Sequence, residues 1–243
     1  MNDFAVFRSN PSPPAKPIDR PARRPNSLRR RVWLALLPLC LMATPLSALT
    51  EYLDGEFWTD EDRIIHEGEA QAELRLLREG RYVFSGMLYG YDFRYVPSDR
   101  TRQVEEEFTL EPVAEIPWGD PQLRVVGTRR RSDGAFVARM RYDMAPFQNR
   151  RYEAWRRNTR ISAAGKGAAP LLEGLDGKIR AIEEGVKQAV RGYMRTKTFN
   201  KPRLITGRVL LEEPPRVFVS SGEYVATVEL FLLLEDVEHY AAY

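Results

Sequence analysis

Between Leu175 and Arg195 the apolar residues Leu175, Ile179, Ile182, Val186, Ala189, Val190 and Tyr193 recur at helical spacing. They fill one third of the circumference, and Arg180, Glu184, Lys187, Gln188, Arg191 and Arg195 occupy the rest. The pattern predicts an amphipathic helix over 175–195. Upstream, Thr59 followed by Asp60, Glu61 and Asp62 reads as a capping hydroxyl and acids on the positive end of a helix dipole. That helix is expected from Asp60 to about Phe84. Its apolar residues Ile64, Ile65, Leu74, Leu76 and Leu77 do not form one stripe, which predicts contact on more than one side. Pro146 suits a first helical turn, and a third helix is expected from there to Ile161.

Elsewhere the period is two. Tyr89, Tyr91, Phe93 and Tyr95 alternate with Leu88, Gly90, Asp92 and Arg94, as in a strand with one apolar face. Further strands are expected at 104–111, 204–211, 216–220 and 224–234. A hairpin is expected from 123–131 and 135–143, closed by a type I′ turn at Asp133-Gly134. That register sets Arg124 opposite Asp143 and Val125 opposite Tyr142. The small residues of 163–174 read as a flexible linker. The order predicts an α+β chain of two helix-plus-antiparallel-meander halves, 49–162 and 175–243. Whether they pack as one unit or stand as two domains is left open by the pattern.

Residues 1–31 form a basic, proline-rich leader expected to be unstructured. Residues 32–48 are uncharged and leucine-rich, directly after Arg29-Arg30-Arg31, and end in small residues. Basic flank, apolar run and small residues are the parts of a secretory signal, cleaved near Ala48. Kept uncleaved, the run Val32–Leu49 is just long enough to anchor the chain in a bilayer. Arg30-Arg31 also fits a degenerate twin-arginine signal, so the route, general secretory or twin-arginine, stays open. Cys40 is not preceded by the small residue that lipoprotein processing needs.

Charge changes the picture once it is divided along the chain. The net charge of +3 and the pI near 9.0 come from the leader: residues 1–31 carry +6 and the remainder −3. A nucleic-acid partner is therefore not expected. Within the folded part, residues 49–120 carry −11, residues 121–170 carry +9 and residues 171–243 carry −1. One reading pairs the arginines of 121–170 with the acidic first segment inside the fold. The other leaves Arg150, Arg156, Arg157 and Arg160 as a basic helix face for an anionic surface, with Phe147, Tyr152 and Trp155 on the opposite side. The aromatic row likewise has two readings. It is the buried face of a strand, or, with Tyr89, Tyr91 and Tyr95 exposed, a binding platform.

Candidate chemistry is sparse. One cysteine and two histidines leave no cysteine-ligated metal site, and no metal or cofactor is expected. His66-Glu67 opens like a zinc-protease motif, but Ala70 stands where the second histidine belongs. His239 lies in an acidic tail, and no nucleophile elbow, phosphate loop or dinucleotide fingerprint is present. The sequence thus points to an exported, non-enzymatic protein of a bacterial envelope or periplasm. It would bind or assemble with an envelope protein or an anionic envelope surface, and meet the membrane directly only if the leader is retained. Two alternatives stand beside it: a hydrolase using Asp92, Glu105 or Glu107, and a membrane-tethered scaffold. Oligomeric state is not encoded in any of these patterns.

Overall fold

The computed structural model describes residues 51–60, 68–158, 161–198 and 200–241. The leader with the expected signal and Cys40, the segment containing His66, and Arg160 lie outside them. The chain runs through β1 (Tyr52–Thr59), α1 (Glu69–Leu88), β2 (Tyr91–Val96), β3 (Glu107–Pro112), β4 (Leu123–Arg130) and β5 (Phe136–Asp143). It continues through α2 (Pro146–Asn158), β6 (Ser162–Pro170), a 3-10 turn (Leu171–Glu173), α3 (Leu175–Arg195), β7 (Leu204–Leu211), β8 (Arg216–Ser220) and β9 (Glu223–Glu238). Every strand pairing among the described residues is antiparallel, and the fold is α+β.

Two sheets hold the helices. The smaller has the order β1-β5-β4, and the larger β3-β2-β7-β9-β6 with β8 also paired to β9. Because β2 bonds to β7, the first half of the sequence completes the sheet of the second. Helix α3 lies on β6 and β9, while α1 contacts β7 of the large sheet and β1 and β5 of the small one. Burial on two sides explains why α1 shows no single apolar stripe. At Gly80 a Cβ would come within 2.6 Å of Met140 Sδ, so the small sheet approaches α1 through that gap.

The differences from expectation have identifiable causes. Thr59 ends β1, pairs with Phe136 and is buried, in line with the alternating inward residues Leu53 and Phe57, while residues 61–67, where the expected helix start would continue, lie outside the described residues. Among the described residues helix α1 follows Gly68, whose φ of 84° only glycine adopts freely. The β4–β5 loop has three residues, closed by the Arg131 and Ala135 backbones and by Gly134 N–H donating to Arg131 O, with Gly134 at φ 82°. That is a type I turn with a glycine bulge, since Asp133 is not in the left-handed region that a type I′ turn requires. A second bulge between Val125 and Gly127 shifts the pairing, so Arg124 faces Arg141 and Val125 faces Met140. Arg124 still reaches Asp143 as an ion pair along the diagonal.

Residues 162–170 are not a linker. They form β6, paired with β9 along its whole length. Ala163, Gly165, Gly167 and Ala169 face inward, and the residues between them face out. The aromatic row is core: Tyr91, Phe93 and Tyr95 are buried, and Phe93 stacks on Phe108 with ring centroids 6.3 Å apart.

Candidate functional site

Helix α2 is fixed by one buried polar side chain. Gln148 Oε1 accepts the N–H of Ala145 at 2.8 Å, capping the helix start just before Pro146. Its Nε2 donates to the hydroxyls of Tyr89 at 2.8 Å and Tyr142 at 2.9 Å. Burial pushes the Tyr142 phenol up to about 12, so it stays a neutral partner. Gln148, Tyr152 and Trp155, spaced i, i+4 and i+7, turn toward the protein. Phe147, Arg150, Arg151, Ala154 and Arg157 are exposed and share the opposite face.

This corrects the expected wheel at two positions. Phe147, placed with the buried aromatics, is 62% exposed and stands among the arginines. Arg156, also exposed, stands on the side of the helix opposite Phe147, donating to the Tyr152 hydroxyl at 3.0 Å with its guanidinium 5.4 Å from that ring. Arg157 pairs loosely with Glu153 at 3.7 Å, and Glu153 is the only acid on the helix. Arg151 was not singled out by sequence; its guanidinium lies 5.9 Å from the Tyr89 ring. The strand arginines behave differently. Arg139 bonds to Asp54 and Arg129 to Glu56, so the basic and acidic segments do neutralise each other across the small sheet.

The remaining candidates separate cleanly. Tyr89 is half-buried and receives the Gln148 bond, Tyr91 donates to Tyr82 O at 2.9 Å, and Tyr95 donates to Glu106 at 2.8 Å. None of the three lies on an open platform. Asp92, Glu105 and Glu107 are exposed rather than gathered in a cleft, with Asp92 bonded to Arg208 and Glu107 to Arg94. Glu105 precedes β3 rather than sharing a strand face with Glu107. Among the described residues no group of three or more His, Cys, Asp or Glu side chains is placed to hold a metal ion, and no helix is long and apolar enough to cross a membrane.

One carboxyl that sequence reasoning missed is Glu183. It lines a cleft of about 330 Å³ between α1 and α3 with Tyr82, Arg78, Arg81 and Arg180. Burial raises its pKa, against the Tyr82 hydroxyl bond at 3.4 Å and the positive Arg180. Each arginine there already has an acid: Arg78 with Asp176, Arg81 with Glu115 and Arg180 with Glu173. A folded-state pKa above the unfolded value near 4.5 means that Glu183 favours folding at low pH and loses that contribution as pH rises. Glu183→Gln, which keeps the acceptor for Tyr82, is therefore expected to match the wild type below that value and exceed its stability near neutrality. Urea unfolding at both pH values checks it, and equal midpoints near neutrality would contradict it.

A protein-family model matches residues 40–240 of this chain, from within the apolar run to two residues past the end of β9. An "Uncharacterized protein" of Treponema pallidum (strain Nichols) is 30% identical over 175 residues, covering 69% of this chain and 70% of its own. No solved structure matches. With well over half of its length matched, the chain belongs to the same protein family as that Treponema pallidum protein.

Proposed function

We propose that this is an exported cell-envelope protein that acts by binding, and that it docks on an anionic surface through the outer face of α2. The carrying observation is the exposed set Phe147, Arg150, Arg151 and Arg157 on a helix held in orientation by Gln148. A guanidinium is weakly hydrated and presents several donors, which suits it to phosphate or carboxylate groups on a surface. The leader supports export. Recovery of native protein beginning near Leu49 in the soluble envelope fraction accords with cleavage, whereas full-length protein in the membrane fraction accords with a retained anchor.

The docking surface makes a direct prediction. Each arginine near an anionic surface contributes about 1 kcal/mol, so Arg150→Glu with Arg157→Glu is expected to weaken capture on anionic vesicles or acidic polymer beads about thirtyfold or more at low salt. Wild-type capture should also decline as salt is raised. Capture that ignores both the substitutions and the salt would remove α2 from the function.

A further inference from the structure

We infer that the anionic surface is a lipid bilayer, with Phe147 entering its headgroup boundary between the arginines of α2. This rests on the docking role of α2 and deepens it. A purely acidic polymer gives no reason for a large apolar side chain to stand open beside a basic face. Phe147 is 62% exposed, flanked by Arg150 and Arg151 on the next turn. Aromatic side chains amid basic ones are what an interfacial helix presents to a bilayer, the rings at the acyl boundary and the cations at the phosphates.

Two further features lie at the same end of the fold. Tyr52 pairs with Asp143 at the end of the small sheet, three residues before α2 begins, and is 48% exposed with the Arg141 guanidinium 3.8 Å from its ring centroid. The chain also enters the described structure here: Met144 N–H donates to Glu51 O at 3.1 Å. The uncharged run Val32–Leu49 ends two residues before Glu51. Glu51, the first of the described residues, thus lies at the end of the fold that carries Tyr52 and Asp143, three residues before α2. Asp143 is held by Arg124 and Asp54 by Arg139, so the acids left near this surface are Glu51 and Glu153, against Arg141, Arg150, Arg151 and Arg157.

The test uses full-length protein with Cys40→Ser, reconstituted into vesicles and carrying an environment-sensitive fluorophore on Phe147→Cys. Leu172→Cys, at a site 93% exposed in the 3-10 turn, is the control. With phosphatidylglycerol vesicles the label at 147 is expected to shift to shorter wavelength and be quenched by brominated acyl chains. The label at 172, and both labels with phosphatidylcholine vesicles, should not change. Adding Arg150→Glu and Arg157→Glu should abolish the shift. If the label at 147 stays water-exposed while capture still depends on Arg150 and Arg157, lipid insertion is overturned and the anionic-surface reading stands. If neither depends on these residues, both are overturned.

Discussion

Replacing Gly167 by alanine will cost the protein about 3 kcal/mol of stability, the upper part of the range for forcing extra volume into a packed interior. A Cβ at this position would collide with the backbone oxygen of Ala181 and the backbone nitrogen of Gly185, and would sit 2.7 Å from the Glu184 carbonyl carbon. Gly165 meets the same helix one pair along, at the backbone of Gly185 and Ala189. Backbone atoms cannot rotate away as a side-chain end can, so α3 must lift from β6. In a flexible linker the same substitution would stabilise the protein by about 0.4–1 kcal/mol, because alanine restricts the unfolded chain. The two accounts therefore differ in sign. Ala168→Ser, on the outward side of β6, should change stability by no more than about 0.5 kcal/mol. Denaturant unfolding of both variants decides the matter, and a stabilised Gly167→Ala would return 163–174 to the status of a tether.

The same contact explains why β6 escapes a reading based on hydrophobicity. Its inward face has period two, but the residues that carry it are Ala163, Gly165, Gly167 and Ala169, which register as small rather than apolar. They are small because Ala181, Gly185 and Ala189 of α3 leave no space between helix and strand. Helix α3 itself was legible over 175–195, since nearly all of its stabilising information lies in one broad apolar stripe. Strands β7 and β8 were legible at 204–211 and 216–220 for a similar reason, as continuous runs bounded by turn residues. Strand β1 was hidden because Gly55 and the acids Asp54 and Glu56 dilute its alternation, although Leu53, Phe57 and Thr59 preserve the period.

At the surface of α2 the arginines were legible and the orientation was not. Tyr152 and Trp155 are inward as expected, but the stripe is completed by a polar residue, Gln148, instead of by Phe147. Only the hydroxyls of Tyr89 and Tyr142, brought from α1's end and β5, make a glutamine the better inward residue. A wheel that ranks positions by hydrophobicity turns the helix by one residue, about 100°. The division of the arginines is equally a tertiary fact. Arg129 of β4 and Arg139 of β5 meet the acids of β1 across the sheet, whereas Arg150 and Arg157 of α2 are exposed to solvent.

Lys178→Ala will destabilise the protein by about 3–5 kcal/mol, the cost of leaving one half of a buried ion pair without the other. Lys178 Nζ donates to both oxygens of Glu79, at 3.0 and 3.3 Å, and to the backbone oxygen of Trp58, which uses all three of its protons. It also lies 4.3 Å from the centroid of the Trp58 ring. One ammonium thus joins α3, α1 and β1, with both side chains of the pair almost completely buried. Burial raises the Glu79 carboxyl above its ordinary value, and Lys178 opposes that rise. Without Lys178 only burial remains, so the folded variant binds the Glu79 proton more tightly than the unfolded chain does. Its deficit against the wild type should then be smallest below pH 4.5 and widen as pH rises toward neutrality. Glu79→Leu with Lys178→Met, which removes both charges and keeps apolar volume, should recover most of the loss. A plain packing role for the lysine stem predicts instead a deficit independent of pH, and a Lys178→Met single variant as stable as the double one.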